Sequence, residues 1–238
     1  MALGYVHERG EAVVRSFSPQ DPAAGFTAPH ALATVGRFDI AAVAAFKGHV
    51  GVLWCHQKAQ RLLFRARRDG DPLDQWGPEE EVASGENVAN DHINLAADAE
   101  GDLWAVTKGQ TGLKITFAQL TLRRRNAQGK WDKAIPLLSP PANGTRPVVV
   151  LDAEKPVAYV LYTNRVPKPN VICLRRVSLA DGTVGEELKV LAADYDLNNA
   201  TDTKGMVGEA SGLMALAGPT VPKAGPARFR LLPLEELR

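Results

Sequence analysis

The sequence predicts an all-β protein, a β-propeller built from four-stranded antiparallel blades, and three observations lead to this prediction. Short apolar segments rich in β-branched and aromatic residues recur along the chain, separated by turns with Gly, Asp, Asn or Pro. Sets of four such segments repeat about every 53 residues, a period typical of propeller blades. No segment has the sustained 3.6-residue apolar periodicity of a helix, and the single helical turn predicted lies at 234–238.

The strands of each repeat can be located from their apolar residues and from the turns between them. The predicted first strands are 40–46, 93–97, 148–151 and, less clearly, 199–207. The second strands are 52–54, 102–104, 157–159 and 212–214, and the third strands are 63–65, 122–124, 174–176 and 228–230. A short fourth strand is predicted at 81–83, 135–137 and 188–190. Because short turns join these segments, we expect them to pair antiparallel.

The repeats divide the chain into four predicted blades preceded by an incomplete one. The blades cover approximately residues 34–86, 87–141, 142–194 and 195–238. Residues 1–33 hold a strand at 11–17 and a second segment at 26–33, and we interpret them as the outer strands of a preceding blade. This organisation predicts about four full blades plus part of a fifth, as in a fragment of a six- or seven-bladed propeller. A β-sandwich is the alternative, and it would explain the strands but not their regular spacing.

The composition argues against several classes of protein. The chain has 28 Lys and Arg residues and 27 Asp and Glu residues, so it lacks the basic excess expected of a nucleic-acid-binding protein. No apolar run approaches the roughly 18 residues of a membrane span. The N-terminal segment lacks the basic and apolar regions of a signal peptide. Cys55 and Cys173 lie within apolar strands and are expected to be buried thiols.

Motifs at the starts of the repeats resemble those of a known superfamily. These motifs are Asp91-His92-Ile93-Asn94, Thr145-Arg146-Pro147 and Asn198-Asn199-Ala200-Thr201, the last followed by Thr203 and Lys204. In this order and at blade spacing, they are similar to motifs of bacterial propeller proteins of the sialidase-like superfamily, which carry BNR or Asp-box repeats. The resemblance covers roughly residues 37–218 and implies a propeller fold and an extracellular location. The branch that carries these motifs has no established activity, so the resemblance implies fold more than chemistry.

Turns between the third and fourth strands resemble the Asp-box of this superfamily, which reads roughly Ser-x-Asp-x-Gly-x-Thr-Trp. The nearest match is the segment 126–131, which ends in Trp131 but lacks the Ser and the Thr. Looser matches are the segments 68–70, with Trp76 beyond it, and 178–182. The resemblance implies a structural role, in which Asp or Asn accepts backbone hydrogen bonds, Gly adopts a positive φ and Trp packs between blades.

Polar residues near the starts of the inner strands are the candidate ligand-binding residues. In a propeller these starts converge on one mouth of the central channel, so residues far apart in sequence become neighbours. The candidates are Asp39, Asp91, His92, Lys108, Arg146, Asn198, Asn199 and Lys204. Arg146 would bind a carboxylate or phosphate through both guanidinium arms, and the asparagines would bind hydroxyl groups. The same residues could instead cap strands and satisfy backbone polar groups at the channel rim.

These residues predict a binding module for a glycan or another polyhydroxylated or anionic ligand. The alternative is a glycoside hydrolase or lyase that uses Asp91, His92 and Arg146, and a second alternative is a protein-interaction scaffold. Sialidase chemistry is disfavoured, because a single arginine lies at an inner-strand start and Tyr159 and Tyr162 have no evident glutamate partner. No sequence motif for a metal or a nucleotide is present, so we expect neither a metal nor another cofactor.

Overall fold

The structure is a computed structural model that describes residues 2–7, 10–18, 20–109, 118–139, 142–166, 168–201 and 205–237. The described residues form five β-sheets, which we number I to V in chain order. Sheet I contains β1 (Ala2–His7), β2 (Glu11–Ser16) and β3 (His30–Thr34). Sheet II contains β4 (Ala41–Phe46), β5 (His49–His56), β6 (Arg61–Arg68) and β7 (Glu80–Ser84).

The remaining sheets follow the same order along the chain. Sheet III contains β8 (Ile93–Ala97), β9 (Leu103–Lys108), β10 (Leu120–Arg125) and β11 (Ile135–Leu138). Sheet IV contains β12 (Gly144–Asp152), β13 (Val157–Asn164), β14 (Val171–Ser178), β15 (Leu188–Leu191) and the two-residue β17 (Met206–Val207), which pairs parallel to β12. Sheet V contains β16 (Leu197–Thr201), β18 (Leu213–Pro219) and β19 (Arg228–Leu232). Two short 3-10 helices lie at Pro22–Ala24 and Leu234–Leu237.

The sheets are arranged around their first strands. Within each sheet the consecutive strands pair antiparallel, and β1 contacts β4, β4 contacts β8, β8 contacts β12 and β12 contacts β16. This succession brings the starts of the inner strands to one end of the assembly, as the sequence predicts. The all-β class, the strands of the four repeats and the C-terminal helical turn are confirmed. The number of blades in the whole propeller stays a prediction.

The N-terminal segment differs from the sequence-based interpretation. Residues 1–33 were expected to supply the outer strands of a blade, yet β1 pairs with β2 and contacts β4, which is the relation that the other inner strands have to one another. Strand β1 therefore occupies an inner position in sheet I. Its short sequence has no long apolar run like that of β4, so no sequence signal marked it. The boundaries proposed for the other blades stay predictions.

Four clusters of buried apolar side chains hold neighbouring sheets together. Each cluster takes alternate residues from the facing strands of two sheets, because successive side chains of a strand point to opposite faces. Representative members from the two sides of the four interfaces are Val14 and Trp54, Phe64 and Leu103, Leu122 and Tyr162, and Leu161 and Leu213. Cys55 and Cys173 are buried free thiols, as predicted, and burial raises the pKa of each to about 12.

Two inner strands share an irregularity near their starts. The pairing register of β12 shifts after Thr145, and that of β16 shifts after Asn198. Each shift contains a residue with left-handed backbone, Arg146 with φ 52° and Asn199 with φ 56°. Such bulges change the direction in which a side chain points, and a non-glycine residue in this region carries strain of roughly 1 kcal/mol or more. The matching bulges therefore set the directions of Arg146 and Asn199 at the end of the sheets where the inner strands begin.

Candidate functional site

Sheet III brings a carboxylate, an imidazole and an ammonium group together. Asp91 and His92 directly precede β8, and Lys108 ends β9, where its backbone N–H donates to the His92 carbonyl oxygen at 2.9 Å. The Nδ1 atom of His92 lies 2.5 Å from Oδ1 of Asp91, although the contact is not aligned as a hydrogen bond. Lys108 is only 6% exposed, whereas the Asp91 side chain is 47% exposed. The cluster therefore has a buried cation and a carboxylate that reaches solvent.

Sheets IV and V add an arginine and an amide to this cluster. Arg146, in the bulge of β12, is half-buried and donates from Nη1 to Oδ1 of Asn198 on β16 at 3.1 Å. The charge of Arg146 acts on both His92 and Lys108, so the guanidinium lies close to both groups. One of the two guanidinium arms is held by the amide. The bulge and this hydrogen bond together fix the position of the guanidinium next to sheet III.

The pKa shifts of the cluster follow from burial and from the surrounding charges. Burial lowers the pKa of His92 to about 4, assisted by the positive charges of Lys108 and Arg146 and opposed by Asp91. The imidazole is therefore neutral at pH 7. Burial also lowers the pKa of Lys108, with the charges of Arg165 and Arg146 in the same direction and Asp91 again opposing. An anion placed here would relieve both effects, because it would compensate poorly solvated positive charge.

Asp39, predicted as a site residue, has a different environment. Its Oδ2 accepts from the backbone N–H of Gly36 at 2.6 Å, and its Oδ1 accepts from the backbone N–H and the side-chain amide of Gln57, both at 3.0 Å. The residue is only 4% exposed. Within the described part of the chain, no hydrogen bond or ion pair joins Asp39 to Asp91 or His92. Asp39 closes its own turn before β4 and fastens it to the end of β5.

The remaining predicted residues are only partly accounted for. Asn199 is exposed in the bulge of β16, and no hydrogen bond among the described residues joins its side chain to the cluster. Lys204 lies outside the described residues. Arg165 is a residue that the sequence-based selection missed, although its charge acts on Lys108. It directly follows β13, and Lys108 ends the equivalent strand β9, so its place at a second-strand end was the available signal.

One sequence-based expectation about tyrosine is wrong. Tyr162 was expected to have no glutamate partner, but its hydroxyl donates to Glu187, which also accepts from the amide of Asn164. Tyr162 is fully buried, and burial together with the Glu187 carboxylate raises the pKa of its phenol well above the ordinary value. A phenol that stays protonated and inaccessible is a poor nucleophile. The pair therefore joins β13 to the segment before β15 and is not the activated tyrosine of a sialidase.

The turn resembling an Asp-box at 126–131 has the geometry that its residues suggest. Oδ1 of Asn126 accepts from the backbone N–H groups of Gln128 and Lys130, and Gly129 has φ 79°. The Trp131 indole donates to Glu80 of sheet II at 3.1 Å. Its ring packs edge-on against Phe64 of the same sheet, so this turn of sheet III is attached to the neighbouring sheet.

Two further searches were confined to the part of the chain that the structure describes. There, His, Cys, Asp and Glu side chains form no group of three or more suited to holding a metal ion. No helix in the same residues has the length and apolar character needed to cross a bilayer.

Comparisons with solved structures identify proteins with a similar fold. A protein of unknown function from Dyadobacter fermentans has a TM-score of 0.65 at 10% identity, with 97% of this chain and 70% of that chain covered. A PL25 polysaccharide lyase, an ulvan lyase, has a TM-score of 0.60 at 10% identity, with 96% and 65% covered. The catalytic domain of a GH62 α-L-arabinofuranosidase from Coprinopsis cinerea has a TM-score of 0.52 at 10% identity, with 96% and 84% covered.

These similarities establish the fold and no more. The GH62 enzyme and a GH43 endo-arabinanase from Bacillus licheniformis, with a TM-score of 0.50 at 12% identity, are β-propeller glycoside hydrolases, so the β-propeller fold is shown. At such low identity, activity does not follow from the fold. The chain spans 65% of the length of the ulvan lyase. No protein-family model matches the chain, and no curated protein sequence matches it.

Proposed function

We propose that this protein binds an acidic saccharide at the end of the sheets where the inner strands begin, through a site formed by Asp91, His92, Lys108, Arg146 and Asn198. The observation that carries the proposal is the charge of the cluster. Lys108, Arg146 and the nearby Arg165 provide three cationic groups, while Asp91 is the one carboxylate among the groups that act on Lys108. His92 adds no charge at neutral pH. A carboxylate ligand would complete this arrangement.

The geometry also supports a ligand that carries hydroxyl groups. One guanidinium arm of Arg146 is occupied by Asn198, which leaves the remaining N–H donors for a carboxylate. The Asn198 amide and the exposed Asp91 carboxylate offer a donor and an acceptor suited to hydroxyls. The likeness to an ulvan lyase and to arabinan-degrading and arabinofuranoside-degrading enzymes is consistent with a saccharide ligand. The resemblance to sialidase-like propellers remains part of this proposal.

Calorimetric titration with uronic-acid oligomers, compared with neutral oligosaccharides of equal length, tests the proposal. We expect the acidic oligomers to bind and the neutral ones to bind more weakly. Arg146→Ala should lower the affinity about 10- to 100-fold, because a charged hydrogen-bonded pair contributes about 1.5–3 kcal/mol. Arg146→Lys should restore only part of the affinity, since lysine retains the charge but not the two-armed geometry.

A matched control distinguishes site binding from general electrostatic attraction. Arg68→Ala removes an exposed arginine at the end of β6 and should leave the affinity unchanged. Equal losses for Arg68→Ala and Arg146→Ala would contradict a defined site. Absence of binding to every uronic-acid oligomer would overturn the proposal and leave the protein-interaction scaffold as the remaining function.

A second candidate function is a lyase, and the neutral state of His92 favours it. A base that removes the proton next to a uronate carboxylate must be unprotonated at the working pH, as His92 is. Asp91 beside Nδ1 favours a proton on that nitrogen and leaves the lone pair on Nε2. Removal of the C5 proton, cleavage of the C4–O bond and formation of a C4=C5 double bond would follow, with a proton passing to the leaving oxygen. Arg146 and Lys108 would stabilise the charge that develops on the carboxylate.

The two candidates differ in their response to replacement of His92. An active lyase would generate the ultraviolet absorbance of the new double bond, and His92→Gln should abolish this signal while changing ligand affinity only slightly. A binding module would show no absorbance change with either protein. Loss of both binding and turnover in His92→Gln would contradict a specific role as a base.

A further inference from the structure

Sheet V presents an apolar face that no other sheet covers. Leu213, Ala215 and Ala217 of β18 belong to the core shared with sheet IV, so Met214 and Leu216 lie on the opposite face. On β19, Leu231 pairs directly across from Met214, and Phe229 pairs across from Leu216. Leu231 is 60% exposed and Phe229 is 74% exposed. We name these four side chains, Met214, Leu216, Phe229 and Leu231, the sheet V face.

Comparison with sheet IV shows what this face corresponds to. In sheet IV the equivalent cross-strand pairs are Tyr159 with Arg176 and Leu161 with Leu174. Leu161 and Leu174 are completely buried, because sheet V packs on that side of sheet IV. The pair of Leu216 and Phe229 therefore has the position that is buried between sheets elsewhere in the molecule. Among the described residues, no core cluster joins sheet V to sheet I, so the face is left open.

We propose that the sheet V face is the contact surface of a symmetric dimer, in which it packs against the same face of a second copy of this chain. A sheet face of this kind is covered most effectively by another sheet that presents alternate apolar side chains. A second copy supplies such a face, and a two-fold axis places like side chains opposite one another. Two-fold dimers are also the commonest soluble oligomers.

The distribution of charge favours this occupant over the other free flank of the chain. The side of β2 that faces away from sheet II carries Glu11 and Arg15 beside Val13, so packing sheet V on sheet I of another copy would bury two charged groups. On β19 the arginines point away from the sheet V face, Arg228 toward the hydroxyl of Tyr195 and Arg230 toward Glu236. The two-fold arrangement therefore brings no like charges together.

Sedimentation velocity of the intact protein tests this proposal. We expect a dimer with twice the 25.6 kDa mass of the chain and a dissociation constant that rises at least about tenfold in Phe229→Ser, as for a central interface aromatic. Phe38→Ser is the matched control, because Phe38 is also 74% exposed but lies in another sheet-connecting segment. This control should leave the dissociation constant unchanged.

A crosslinking experiment tests the two-fold geometry directly. The two native cysteines are buried, so a cysteine introduced by Leu231→Cys is the accessible thiol and should form a disulfide-linked dimer on mild oxidation. A monomer at every soluble concentration would overturn the proposal. Open-ended assemblies, or a dimer unaffected by Phe229→Ser, would overturn it as well, the first by indicating packing of sheet V on sheet I.

Discussion

Asp39 and Asp91 lie directly before the inner strands of neighbouring sheets, yet they have opposite environments. Asp39 is 4% exposed, and its two oxygens accept three hydrogen bonds from its own turn and from Gln57. The Asp91 side chain is 47% exposed and contacts the imidazole of His92. The same residue type at corresponding places therefore closes a turn in one sheet and faces a cationic cluster in the next. The difference depends on whether local N–H donors saturate the carboxylate.

The comparison predicts that the two carboxylates contribute very differently to stability. Asp39→Ala should lower the free energy of unfolding by about 4 kcal/mol, because it leaves the buried N–H groups of Gly36 and Gln57 without an acceptor. Urea unfolding measures this loss. Asp74→Ala, at an exposed position in the same sheet, should change the free energy by less than about 0.5 kcal/mol. An Asp39→Ala protein of unchanged stability would contradict the structural role.

The second prediction concerns the acid side of the cluster. The pKa of His92 is lowered from 6.5 to about 4, so between these values the unfolded chain binds more protons than the folded protein. Stability should therefore rise with pH across this window, by at most about 3 kcal/mol, and be lost as pH falls toward 4. Unfolding measured from pH 4 to 7 should show this rise, and His92→Gln should flatten it.

A histidine outside the cluster provides the control for this measurement. His30 begins β3, at a distance from the cluster along the sheets, and His30→Gln should retain the rise in stability. Retention of the full rise in His92→Gln would show that another group is responsible, and the assignment to His92 would be wrong.

The smallest expected effect belongs to Asp91. Asp91→Asn should change the free energy of unfolding by less than about 0.5 kcal/mol, because the carboxylate is half-exposed. It should lower the pKa of His92 further, since Asp91 is the group that opposes the shift. Titration of the His92 ring by nuclear magnetic resonance checks the direction. A raised or unchanged pKa would remove Asp91 from the cluster.

Much of the fold and part of the candidate site could be predicted from the sequence. The strands follow from local composition and turn residues, so the repeat was visible without tertiary information. Asp91, His92, Lys108 and Arg146 were identified because repeat spacing places strand starts at one end of the sheets. Arg165 was missed, since its contribution depends on its distance from Lys108 across two sheets.

The sequence by itself determined the all-β class, the repeat and the polar strand starts, because these depend on neighbouring residues along the chain. Only the tertiary structure decided which carboxylate is saturated, that Tyr162 contacts Glu187, and that β1 lies against β4. It also decided which apolar residues of β19 remain uncovered. These outcomes depend on the donors, charges and surfaces that other sheets bring near, and strand periodicity carries no information about them.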